Sequence, residues 1–116
     1  MGIEKLNINS KYIGNEELNY LENVNFKELK ELNLFKCGIS DIGFLEKVKF
    51  EKLEKLNLGW NNISNNINIL EYVNFKELKK LDLYNNKISD IKVLEKFKFD
   101  KLCIKFNLES NIWKRK

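Results

Sequence analysis

Apolar residues along this chain follow two alternating rhythms. In one, leucines stand two apart, as in Leu32-Asn33-Leu34, Leu56-Asn57-Leu58 and Leu81-Asp82-Leu83. A period of two marks a strand with one buried face. A few residues further on the spacing opens to three, as in Ile42, Leu45, Val48 and Ile91, Leu94, Phe97. Steps of three predict a short helix or 3₁₀ turn, and Ser40/Asp41 and Ser89/Asp90, just ahead of these runs, are the expected N-caps. One strand and one short helix cannot bury their apolar side alone, so successive units must stack.

These rhythms belong to an internal repeat. Phe26-Lys27-Glu28-Leu29-Lys30-Glu31-Leu32-Asn33-Leu34 recurs as Phe50-Glu51-Lys52-Leu53-Glu54-Lys55-Leu56-Asn57-Leu58 and as Phe75-Lys76-Glu77-Leu78-Lys79-Lys80-Leu81-Asp82-Leu83. The starting phenylalanines Phe26, Phe50, Phe75 and Phe99 are 24, 25 and 24 residues apart, which reads as a buried Phe spine. A partial copy opens the chain (Ile3, Leu6, Ile8) and a degenerate one, with an inserted residue, closes it (Leu102, Phe106, Leu108).

Each copy obeys L-x-x-L-x-L-x-x-N/C-x-I. The ninth position holds Lys11, Cys37, Asn61, Asn86 and, after a one-residue slip, Asn111, and the next apolar position holds Ile13, Ile39, Ile63, Ile88 and Ile112. In this the chain resembles the leucine-rich repeat family over essentially its whole length. Ile39-Ser40-Asp41-Ile42 and Ile88-Ser89-Asp90-Ile91 are similar to the I-S-D-I step of the internalin-like and phosphatase-regulator-like subclass, although these repeats are longer than that subclass usually has. The expected fold class is α/β: a curved solenoid with a parallel sheet on the concave face and short helices or 3₁₀ turns on the convex face. The expected organisation is a single domain over 1–116: a partial repeat 1–25, repeats 26–49, 50–74 and 75–98, and a capping repeat 99–116 closed by Trp113. The resemblance also implies that ninth-position amides bond the backbone of adjacent turns as a ladder, with Cys37 an accepted substitute. A regulatory or adhesion-like scaffold follows from the same resemblance.

Composition narrows the function. The chain has 116 residues, 43% of them apolar, and no His, Pro, Ala, Thr or Gln. Without His there is no Ser-His-Asp triad, Cys-His pair or His-ligated zinc site, and no cofactor or metal is expected. No apolar run approaches the roughly 18 residues of a membrane helix. Cys37 and Cys103 form neither a C-x-x-C nor a disulfide framework, and no apolar signal segment opens the chain. A cytoplasmic location is expected, the alternative being an effector delivered to a host cytosol.

With the leucines inward, the alternate strand positions face the concave side. The central column reads Asn7, Asn33, Asn57, Asp82, Asn107, and the one before it Lys5, Glu31, Lys55, Lys80, Lys105. The two after it read Asn9, Phe35, Gly59, Tyr84, Glu109 and Ser10, Lys36, Trp60, Asn85, Ser110. Candidate partner-binding residues are therefore Glu31, Phe35, Lys36, Lys55, Asn57, Gly59, Trp60, Lys80, Asp82, Tyr84 and Asn85. Phe35, Trp60 and Tyr84 fall on consecutive repeats, and strands about 4.8 Å apart would join them into a patch about 10 Å long. Gly59 is expected to leave room for a ligand group or for the indole to lie flat.

The expectation is a noncatalytic module binding a protein or extended peptide, somewhat acidic in character. The alternative is a single-stranded nucleic acid or other polyanion, for which Lys beside aromatics is a suitable design and the net charge of +4 a suggestion. Against it stand a single Arg and acidic residues interleaved with nearly every Lys. Carboxylate pairs such as Asp82 with Glu109 or Glu31 lack any accompanying pocket signature or metal-ligand cluster, so catalysis is not expected. The N-terminal end has no cap comparable to Trp113, so a second copy of the chain is a candidate to cover it.

Overall fold

A computed structural model describes residues 2–24, 26–48, 50–73, 75–89, 92 and 103–106. Among these residues five short strands, β1 (Lys5–Asn7), β2 (Glu31–Asn33), β3 (Lys55–Asn57), β4 (Lys80–Leu83) and β5 (Cys103–Phe106), lie side by side in chain order in one parallel sheet. Between strands the chain returns through helix α1 (Asn15–Leu18) with a 3₁₀ segment (Asn19–Asn23), through helix α2 (Phe44–Lys47), and through a 3₁₀ segment (Asn65–Tyr72). This is the α/β repeat solenoid that the alternating rhythms predict.

From β1 to β4 the register equals the repeat: Lys5, Glu31, Lys55 and Lys80 are in line, as are Leu6, Leu32, Leu56 and Leu81, and Asn7, Asn33, Asn57 and Asp82. At β5 it departs from the sequence columns. Cys103 pairs with Lys80, Ile104 with Leu81, Lys105 with Asp82 and Phe106 with Leu83. Lys105 thus stands in the central column instead of the Lys80 column, and Cys103 takes the place expected for Lys105. A two-residue slip keeps the same residues on the same face, so the Ile104/Phe106 and Phe106/Leu108 alternations satisfy the pattern equally.

The core is made of the inward leucines and isoleucines. Leu32, Leu34, Leu56, Leu58, Leu81 and Leu83 are buried, as are Ile39, Ile63 and Ile88. Behind them Phe26 and Phe50 stack with ring centroids 6.0 Å apart, and Phe50 and Phe75 at 6.4 Å. At the β1 edge Leu6, Ile8 and Ile13 are half-buried against this core. Among the described residues no helix is long and apolar enough to cross a membrane.

Ser40 and Asp41 do not cap α2. The residue preceding the helix is Gly43, with no side-chain cap. Asp41 Oδ1 instead accepts the Gly43 N–H at 2.8 Å, and Ser40 Oγ accepts from Asn15 Nδ2 of the previous copy at 2.9 Å. The helix starts late because Ile42, fully buried, must first reach the core. Asp90, the run Ile91, Leu94, Phe97, the fourth spine residue Phe99, and Asn111, Ile112 and Trp113 of the expected cap lie outside the described residues.

Candidate functional site: the concave face and its corner turns

Every described strand from β1 to β4 ends in the same local device. Asn7 Oδ1 accepts the Asn9 N–H at 2.9 Å, Asn33 Oδ1 that of Phe35 at 3.0 Å, Asn57 Oδ1 that of Gly59 at 2.9 Å, and Asp82 Oδ1 that of Tyr84 at 2.9 Å. These are Asx turns, in which a short polar side chain supplies an acceptor for the backbone two residues on. Asn57 and Asp82, expected as contact residues, therefore terminate strands as well. The sequence signal was a column composed wholly of Asn and Asp.

One residue beyond each turn the backbone swings into the left-handed region, with φ of 62° at Ser10 and 55° at Lys36, Trp60 and Asn85. The corners remain in line through the backbone: Ser10 N–H donates to Phe35 O at 2.8 Å, Lys36 N–H to Gly59 O at 3.0 Å, and Trp60 N–H to Tyr84 O at 2.7 Å. Repetition of strand, Asx turn and corner places Trp60 and Tyr84 at the mouth of the concave face, 52% and 47% exposed. Lys36 is exposed and Asn85 half-buried on the same corner column.

Phe35 and Gly59 differ from expectation together. Gly59 is buried, and a Cβ built there would meet Asn57 Oδ1 and Asp82 Oδ1 at 3.2 Å and Phe35 Cδ1 at 3.4 Å. The missing side chain makes room for the half-buried Phe35 ring and the two Asx groups, not for a ligand. Among the described residues Phe35, Trp60 and Tyr84 do not stack on one another, so the outward aromatic surface is chiefly Trp60 and Tyr84.

The column ahead of the Asx residues carries charge. Glu31 lies between two lysines, its Oε2 3.0 Å from Lys5 Nζ and its Oε1 3.3 Å from Lys55 Nζ. Hydrogen bonds from Lys5 and Lys55 hold the Glu31 carboxyl below the usual glutamate range. Among the described residues no carboxylate lies within ion-pair distance of Lys80. Glu31, Asn33, Lys55, Asn57, Lys80 and Asp82 surround a hollow of about 210 Å³ floored by Leu32 and Leu56. Five of the expected contact residues, Glu31, Lys55, Asn57, Lys80 and Asp82, thus line one depression.

The ninth-position ladder is present and structural. Asn61, 6% exposed, accepts from the N–H groups of Cys37 (3.0 Å) and Ile39 (2.9 Å) and donates to the carbonyls of Leu34 (3.0 Å), Leu58 (2.9 Å) and Gly59 (3.1 Å). Asn86 repeats this one rung on, accepting from Ile63 N–H at 2.9 Å and donating to Leu58 O and Leu83 O at 3.0 Å. Cys37 is fully buried and its thiol donates to Ile8 O at 3.1 Å. Burial pushes that thiol up from its ordinary pKa, which disfavours the thiolate a nucleophile needs.

Sequence reasoning missed a larger cavity on the outer side, about 680 Å³, between the second and third copies. Leu45, Val48, Phe50, Tyr72 and Val73 form its apolar part, and charged residues such as Glu51, Lys52 and Lys76 its rim. Leu45, Val48 and Phe50 read as core when each copy is considered alone, so the space between copies leaves no mark in the pattern.

Models of the Leucine Rich repeat match residues 28–44 and 51–67, and a further Leucine Rich Repeat model matches 77–97. The three segments hold β2, β3 and β4 with the turns that follow them. No curated protein matches the chain.

Proposed function

For a chain that is a leucine-rich repeat protein, a family whose domains generally serve as protein–protein interaction modules, we propose that the concave face is the contact surface and takes a protein or extended peptide. Trp60 carries this reading. A bulky residue at φ 55° is uncommon, since left-handed backbone crowds Cβ at a cost of about 1–2 kcal/mol. Asn85, at the same φ one rung on, is a residue type that tolerates this corner. The indole is half exposed, so the core gains little in return. Large, half-exposed aromatics are the side chains on which binding energy concentrates.

Glu31, placed between Lys5 and Lys55, and Asp82, in the same hollow, weigh against the polyanion alternative. Affinity capture from the source lysate tests the proposal, comparing the wild type with Trp60→Asn, Tyr84→Ala and, on the outer side, Lys76→Ala. Trp60→Asn is expected to fold with an unchanged or higher melting temperature and to lose the captured partner at least tenfold, while Lys76→Ala retains it. Undiminished capture by both concave-face variants would remove the concave face as the contact surface.

A further inference from the structure

The hydrogen-bonding groups around the concave hollow are unequal in kind. The Asx turns take Oδ1 of Asn33 and Asn57, which leaves both Nδ2 groups as outward donors with no acceptor among the described residues. The Lys80 ammonium adds further donors. On the acceptor side, both Glu31 oxygens already accept from lysines, and Asp82 Oδ2 is the side-chain oxygen of the hollow without a partner among the described residues. The unpartnered donors therefore favour a ligand that brings acceptors, and a carboxylate is acceptor-only and accepts charge-assisted bonds from ammonium groups.

The protein contains its own precedent. Glu31 shows one carboxylate shared by two lysines of this column, at 3.0 and 3.3 Å. One step along, Lys55 and Lys80 stand directly opposite on adjacent strands with no acidic residue between them, an unfavourable placement for like charges. We infer that the hollow receives the side-chain carboxylate of an Asp or Glu on an extended acidic segment of a protein partner. The carboxylate sits between Lys55 and Lys80 and accepts from the Asn33 and Asn57 amides. Asp82 Oδ2 takes an N–H of the same segment, and a neighbouring apolar residue lies against Trp60 and Tyr84. The inference rests on the concave-face reading above.

Selection of a phage-displayed random dodecapeptide library on the full chain, followed by anisotropy measurements with the recovered peptides, tests it. Recovered peptides are expected to carry Asp or Glu beside an aromatic or apolar residue, and replacing that acid by its amide is expected to weaken binding by about fivefold. Lys80→Met, which keeps the aliphatic stem, is expected to weaken the acidic peptide by a similar factor and to bring the acid-to-amide ratio near one, with an unchanged circular dichroism spectrum. An acid-to-amide ratio unaffected by Lys80→Met overturns the placement of the carboxylate. Peptides that depend on Trp60 but show no acidic preference overturn this inference and leave the concave-face reading standing. Peptides indifferent to both Trp60→Asn and Lys80→Met, or an empty selection, overturn both. A thymidine oligonucleotide that outcompetes the peptides and is released as salt rises overturns the inference in favour of a polyanion.

Discussion

Asn57 and Asn61 stand four residues apart in the same copy and meet different fates. Asn61 is 6% exposed and both ends of its amide are bound to backbone, through five hydrogen bonds. Asn57 is half-buried, has one end held by the Gly59 N–H, and turns the other toward the concave hollow. The same contrast holds one rung on between Asp82 and Asn86. An amide saturated by backbone is part of the scaffold, whereas one saturated at a single end both shapes a turn and keeps a group for something else.

The most severe way to break this comparison is Asn61→Ala. It strands the N–H groups of Cys37 and Ile39 and the Leu34 carbonyl in the interior, while Leu58 O and Gly59 O keep Asn86 and the Lys36 N–H, and is expected to cost about 3–5 kcal/mol in urea denaturation. Asn57→Ala removes one turn bond at the edge of solvent, with an expected cost of about 1 kcal/mol. Equal losses in the two variants would refute the division between saturated and half-saturated columns.

The smallest effect concerns the charge column. Glu31 has its folded pKa depressed by Lys5 and Lys55, so its contribution to stability is complete above the ordinary glutamate pKa. That contribution is lost as pH falls through the lower folded value. Because the group remains partly open to solvent and its pairs are screened, the change is small. Glu31→Gln is expected to flatten part of the acid limb of a stability-versus-pH curve while leaving the neutral midpoint nearly unchanged. A salt titration reaching the same flattening would confirm the electrostatic origin.

The repeat frame was legible because two periods, two and three, alternate with a constant offset, and because Asn61 and Asn86 stand at fixed distances after Leu58 and Leu83. The β5 register was not, since two apolar frames two residues apart are equivalent by alternation. Nor was the burial of Gly59, because a glycine on an outward column looks like free space until the Phe35 ring of the neighbouring strand is placed over it. The left-handed corners were hidden for a different reason. Ser10, Lys36, Trp60 and Asn85 include no glycine, the residue that ordinarily announces positive φ. Exposure of Tyr84 followed from strand parity, whereas that of Trp60, which shares the parity of the buried Leu56 and Leu58, depends on the left-handed corner. The donor surplus of the hollow required knowing which amide oxygen each turn had taken.

The phenylalanine stack carries a consequence for cooperativity. Its ring contacts pass from Phe26 to Phe50 and from Phe50 to Phe75, so among the described residues the stack joins each copy to its immediate neighbours. Such a molecule melts as a line of linked units whose ends loosen first. Phe50, flanked on both sides, adds to the sheet and the amide ladder in joining three successive copies, so weakening it is expected to broaden the melting transition.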